Sequence, residues 1–93
     1  MLTYQECLEL SGLTRDEIDA IAEHEHVPEI VAAEIGNYLV HCSDGVPRIR
    51  RIILEDIEDA IQHGRPARAL HLRLVLKHFI DTHPDAHPAK TLE

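Results

Sequence analysis

The chain has 93 residues and a formal net charge of −8 with neutral histidines, so it is expected to form one small acidic domain. This charge argues against nucleic acid and against an anionic membrane surface as partners, because both require clustered lysine and arginine. No apolar run reaches the roughly 18 residues that a membrane span needs, and we expect no secretory signal. The sequence therefore predicts a cytoplasmic protein.

The apolar fraction is 44%, and two tyrosines and one phenylalanine are the only aromatic residues. This composition predicts an aliphatic core and favours the packing of helices. The chain is also rich in histidine, with eight residues of this type.

Two helix starts share the pattern Thr-x-x-Glu, at residues 3–6 and residues 14–17. In this capping box, the threonine hydroxyl and the glutamate carboxylate accept hydrogen bonds from amides that have no partner at a helix start. Gly12 is a typical helix terminator. The first two helices are predicted to span residues 4–11 and 15–26.

Proline and glycine delimit the later helices. Pro28 lacks an amide hydrogen, and its ring would clash with the carbonyl of His24 in a continuous helix. We therefore predict a break after His26, with a single kinked helix as the alternative. Gly64 ends the fourth helix. The last three helices are predicted at residues 28–42, 47–63 and 66–82.

These segments predict an all-α fold, a compact bundle of about five short helices. The helical domain is expected to span residues 1–83. Residues 84–93 are polar and are predicted to be a disordered tail. Because a chain of this size buries only about 60–65% of its unfolded surface, we expect modest stability and an oligomer.

Two helices carry apolar residues on more than one face. A helical projection places Leu70 and Leu74 on the far side of helix five from its core stripe. On helix three, Ala33, Gly36 and Val40 form a face of small residues away from the main stripe. We expect at least one of these faces to contact another subunit, or else helix three to lie at the centre of the bundle. The predicted core stripe of helix three is Val31, Ile35, Tyr38, Leu39 and Cys42.

The run Glu23-His24-Glu25-His26 contains potential metal ligands. Glu23 and His26 are three residues apart and are predicted to share a polar edge with Asp19, whereas Glu25 is predicted to end the apolar stripe. His24 is predicted to lie on neither. This Glu-x-x-His pair resembles one part of the ligand set of ferritin-like di-iron proteins, which use two such pairs and two further carboxylates.

A homodimer would supply a second pair by symmetry. On helix three, Glu34 and His41 form another polar stripe that is predicted to approach the first. The candidate iron or zinc ligands are therefore Glu23, Glu25, His26, Glu34 and His41.

Asp56 is predicted to lie within the apolar face of helix four. A buried carboxylate needs a partner or a raised pKa. We expect its partner to be Arg68, Arg73 or a histidine.

The leading interpretation is a small interaction module that forms homodimers or docks another protein. The alternative is a metal-binding helical protein that uses iron or zinc. Enzymatic activity without a metal has the least support, because the sequence contains no nucleophile motif and no glycine-rich phosphate loop.

Overall fold

A computed structural model describes residues 2–84, so the predicted tail lies outside the described residues except for Pro84. Within residues 2–84 the regular secondary structure consists of five α-helices, which confirms the predicted all-α class. They are α1 (Tyr4–Ser11), α2 (Arg15–Glu25), α3 (Glu29–Val40), α4 (Gly45–Gln62) and α5 (Pro66–Thr82).

Both predicted capping boxes are formed. The Glu6 amide donates to Thr3 Oγ1 over 3.1 Å, and the Thr3 amide donates to Glu6 Oε1 over 2.9 Å. Thr14 and Glu17 repeat this exchange at 3.2 and 2.9 Å. Each box satisfies two amides that the helix itself leaves unpaired, so the local sequence fixes where α1 and α2 begin.

Three residues with a left-handed backbone conformation lie at or just after the ends of α1, α2 and α4. Gly12 has φ 73°, His26 has φ 58° and Gly64 has φ 68°. The conformation of His26 separates α2 from α3, which confirms the predicted break over the single kinked helix. Such a conformation costs a residue with a Cβ about 1–2 kcal/mol. The amides of His26 and Val27 both donate to the Ala22 carbonyl, and these hydrogen bonds help to offset the cost.

Helix α4 begins at Gly45, two residues before the predicted start at Pro47. Proline fits the first turn of a helix because its missing amide hydrogen would have no partner there. Gly45 is buried, and a Cβ at this position would overlap the backbone of Leu39. Only glycine allows α4 to start this close to the end of α3.

The core lies between α2, α3, α4 and α5, and α1 packs on α3. As predicted, the core is mainly aliphatic, and Phe79 of α5 is fully buried within it. Its largest fully buried apolar side chains are Phe79, Ile18, Ile21, Ile49, Ile53 and Leu72. No helix within residues 2–84 has the length and hydrophobicity needed to cross a bilayer.

Helix α3 faces the core with its small residues and with only part of the predicted stripe, of which Leu39 is buried. Its small residues are buried, whereas Val31 and Tyr38 of the predicted stripe are exposed. A Cβ on Gly36 would lie 2.6 Å from Leu13 Cδ1, which shows how closely α3 approaches the residues beside it. Ala33 and Gly36 are thus core residues of the same chain, which corrects their assignment to an intersubunit interface. Val40 is half-buried and packs against the core.

Candidate functional site

A polar concavity lies where the end of α2, the second half of α4 and the residues before α5 meet. Its volume is about 670 Å³. Every residue that lines it has an ionisable side chain, and we call it the acidic cleft. The lining residues are Glu23, His24, His26, Glu55, Asp56, Asp59, His63 and Arg65.

His24 connects two helices at the edge of this cleft. Its Nδ1 lies 2.8 Å from Glu25 Oε2, and its Nε2 lies 2.6 Å from Glu55 Oε1 on α4. Burial acts to lower the pKa of His24, but the hydrogen bonds to Glu55 and Glu25 and the nearby Asp56 outweigh it and raise this pKa above 6.5. His24 was predicted to lie on neither edge of its helix, and this prediction was wrong because the side chain is directed by α4.

Glu23 also lines the cleft, and two arginines bind its carboxylate. Arg65 Nη2 donates to Glu23 Oε2 over 3.1 Å, and Arg68 Nη2 donates to Glu23 Oε1 over 2.6 Å. The hydrogen bond from Arg68 is the main reason that the pKa of Glu23 is lowered, and partial burial opposes it. Glu23 therefore anchors the start of α5 to α2.

Asp56 is buried, as predicted, with 8% of its surface exposed. Its Oδ2 atom is covered and has no hydrogen-bond partner among residues 2–84, so the expected arginine or histidine partner is not in contact. Burial raises the pKa of Asp56 from 3.8 to about 6, although the positive charges of His24 and Arg68 lower it. A carboxylate this buried and unpaired is typical of functional sites.

The five predicted metal ligands are not brought together within one chain. Glu23 is occupied by two arginines, and Glu25 is exposed beside His24, which corrects its predicted position at the apolar stripe. His26 caps α2 and lines the cleft.

The other two candidate ligands lie on or just after α3 and do not line the cleft. Glu34 is half-buried, and His41 is exposed with its Nδ1 2.7 Å from the carbonyl of Asn37. Within residues 2–84, no group of three or more His, Cys, Asp or Glu side chains has a metal-binding arrangement. Iron or zinc binding stays a prediction that would need ligands from a second subunit.

Asp19 does not join the polar edge predicted for it. Its carboxyl group instead meets Glu29 at the start of α3, where the Tyr4 hydroxyl donates to Glu29 Oε1 over 3.5 Å. The hydrogen bond with Asp19, followed by partial burial, raises the pKa of Glu29 to about 7.

Glu17 is a buried carboxyl group that was read from the sequence only as a helix cap. One oxygen completes the capping box, and the other, Oε2, is covered without a partner in the described residues. Burial is the main cause of its raised pKa. The signal was present in the spacing, because Glu17 precedes Ala20 by three residues and Ile21 by four, and both are buried.

A second candidate surface lies on α5, away from the core. Leu70 and Leu74 are 62% and 61% exposed, which confirms that they point away from the core stripe. They are one turn apart and lie side by side. We call this surface the α5 outer face, and its exposed residues are Ala67, Leu70, Leu74, Lys77 and Asp81.

The chain matches no protein-family model, no curated protein and no solved structure.

Proposed function

We propose that the protein is an interaction module that forms homodimers through the α5 outer face. The observation that carries the proposal is the exposure of Leu70 and Leu74 at 62% and 61%. Single exposed apolar residues are ordinary on protein surfaces, but two adjacent leucines form a patch that favours burial against a partner.

A second copy of the chain fits this patch because the patch is self-complementary. In an antiparallel twofold arrangement of two α5 helices, Leu70 of one copy meets Leu74 of the other, and the same contact is repeated by symmetry. The antiparallel helix dipoles of the two α5 helices then support the apolar contact.

The apolar contact sets the expected strength. Full burial of a leucine is worth about 1.5–3 kcal/mol, so burying the exposed parts of four leucines contributes about 4–7 kcal/mol. Association costs about 4 kcal/mol or more in lost freedom of motion. The net gain from these two contributions is at most about 3 kcal/mol, so the dimer is expected to be weak, with a Kd in the millimolar range or above.

Sedimentation velocity over a range of protein concentrations tests this proposal. The wild-type protein should shift from monomer to dimer as the concentration rises, and Leu74→Asp should remain monomeric because a charge would be buried in the contact. Leu10→Asp is the matched control, since Leu10 is 56% exposed on α1 and should not affect the dimer.

Circular dichroism should show that both variants keep their helical content. A wild-type protein that stays monomeric at all concentrations would refute the proposal. So would a dimer that Leu74→Asp leaves intact or that Leu10→Asp weakens equally.

A further inference from the structure

The acidic cleft has a strong excess of negative groups. Four carboxylates line it, and the one guanidinium in its lining, that of Arg65, already donates to Glu23. The remaining lining residues are histidines. A concavity lined in this way attracts positively charged groups, because low-dielectric walls strengthen the field of the carboxylates.

Asp56 gives the cleft a specific acceptor. Its residue surface is 8% exposed, it lines the cleft, and its Oδ2 has no hydrogen-bond partner in residues 2–84. Leaving a buried charged group unpaired is costly, and the charge is shared by both carboxylate oxygens. A donor that entered the cleft and approached this carboxylate would relieve that cost.

We propose that the acidic cleft binds the ammonium or guanidinium group of an organic cation, with Asp56 as the main acceptor. Asp59 lies one turn further along α4 and adds a second carboxylate to the lining. Glu55 holds His24 through Oε1, which leaves its other oxygen to accept from the same ligand.

The size and ligand chemistry of the cleft favour an organic cation. Its volume of about 670 Å³ lies within the range of about 300–1,000 Å³ that is usual for small-molecule sites. The described residues hold no group of three metal-ligating side chains, whereas N–H donors need only separate acceptors. This site does not depend on the proposed homodimer, since the α5 outer face lies on other residues.

The cation can come from a free amine or from a lysine or arginine side chain of another protein. The probes that separate these sources are putrescine, N-acetyl-lysine methylamide and N-acetyl-arginine methylamide. N-acetyl-glutamine methylamide is a neutral control. The measurement is a two-dimensional amide NMR titration of the full chain, and at least one cation should bind with a Kd of about 0.1–10 mM.

The amide signals of Glu23, His24, Glu55 and Asp56 should move with the cation and not with the neutral control. Binding of putrescine alone would assign the site to free amines, and binding of the blocked amino acids would assign it to a protein side chain. Either result supports the proposal. It would be overturned if no cation produced shifts at about 10 mM, or if the neutral control produced the same shifts.

Asp56→Asn removes the charge while keeping the shape of the side chain, and it should weaken binding about tenfold or more. Asp59→Asn should weaken binding by a smaller factor of about two to three. Asp81→Asn is the matched control, because Asp81 is exposed and pairs with Lys77 away from the cleft. Equal binding by the wild-type protein and a folded Asp56→Asn variant would contradict the assignment.

The binding should weaken as the pH falls below about 6, since Asp56 gains a proton there. The other groups around Asp56 are His24 and Glu23 on α2, Asp59 on α4 and Arg68 on α5. Protonation of His24, whose pKa is raised, adds a competing positive charge and acts in the same direction. Affinity that stayed constant from neutral pH to below pH 6 would contradict the role of Asp56.

Discussion

Asp56→Asn should make the folded protein more stable near neutral pH. In the folded chain, Asp56 is 8% exposed and its Oδ2 has no partner among the described residues. In the unfolded chain, the same carboxylate is fully hydrated. Folding at neutral pH therefore transfers a charge from water to a site that stabilises it poorly, and asparagine avoids this transfer.

The magnitude follows from the pKa of Asp56, which rises from 3.8 to about 6 on folding. A pKa change of one corresponds to about 1.4 kcal/mol, so the ionised carboxylate lowers the free energy of unfolding by about 3 kcal/mol. The amide nitrogen of asparagine would itself lack a partner, at a cost of about 1–2 kcal/mol. The net gain in the free energy of unfolding is expected to be about 1–2 kcal/mol.

The gain should depend on pH in a defined direction. Below the unfolded pKa of 3.8, Asp56 is protonated in both states and the penalty is absent. As the pH rises from there to about 6, the unfolded state loses its proton first, so the wild-type protein loses stability relative to the variant. Above this range the difference is complete and constant.

Urea unfolding, followed by circular dichroism, measures this difference at about pH 7.5 and again below about pH 4. The expected result is a more stable variant at the higher pH and no gain at the lower pH. Asp81→Asn serves as the control, because its exposed pair with Lys77 is worth only about 0.3–0.5 kcal/mol. A variant that is less stable at pH 7.5, or equally stabilised at both values, would refute the reasoning.

Two further predictions concern buried positions. Gly45→Ala should lower the free energy of unfolding by more than about 3 kcal/mol, because the added Cβ meets the backbone of Leu39. Alanine at Gly64 should cost only about 1–2 kcal/mol, because the space there is open and only the positive φ of 68° opposes a side chain. Chemical unfolding measures the loss of stability in the Gly45→Ala and Gly64→Ala variants, and equal losses would contradict the steric argument. Ellman's reagent should label the half-buried Cys42 in the folded protein but not Cys7, which is fully buried and whose pKa burial raises. Labelling of both thiols at the same rate, before unfolding, would contradict the described packing.

The helix boundaries could be predicted because they depend on local chemistry. Thr3 and Thr14 carry their capping partners three residues away, and Gly12 and Gly64 supply positive φ where a helix or turn reverses. The exposure of the α5 leucines also followed from the helical period alone.

The inward face of α3 could not be predicted in the same way. A projection that favours large apolar residues selects Val31 and Tyr38, but close packing against Leu13, Ile18 and Ile21 requires a small residue such as Gly36. The distance between two helices decided which face was buried, and this distance is a property of the whole fold.

The candidate site was predictable only in part. The burial of Asp56 followed from its spacing to apolar residues of α4, three and four positions away. The role of His24 did not, because Glu55 lies 31 residues further along the chain. A contact between distant residues leaves no trace in the local pattern of a single sequence.

The short connections that contain His26 and Gly64 also affect the rate and order in which the chain folds. Helices α4 and α5 are separated by three residues and make the most extensive contact between any two helices in residues 2–84, and α2 also packs on α3. The chain loses little conformational entropy when segments that are close in sequence come into contact. A helical protein with such contacts is therefore expected to fold within milliseconds or faster. The α4–α5 hairpin should form early. The acidic cleft, which needs α2 docked on that hairpin, should be complete only in the last step of folding.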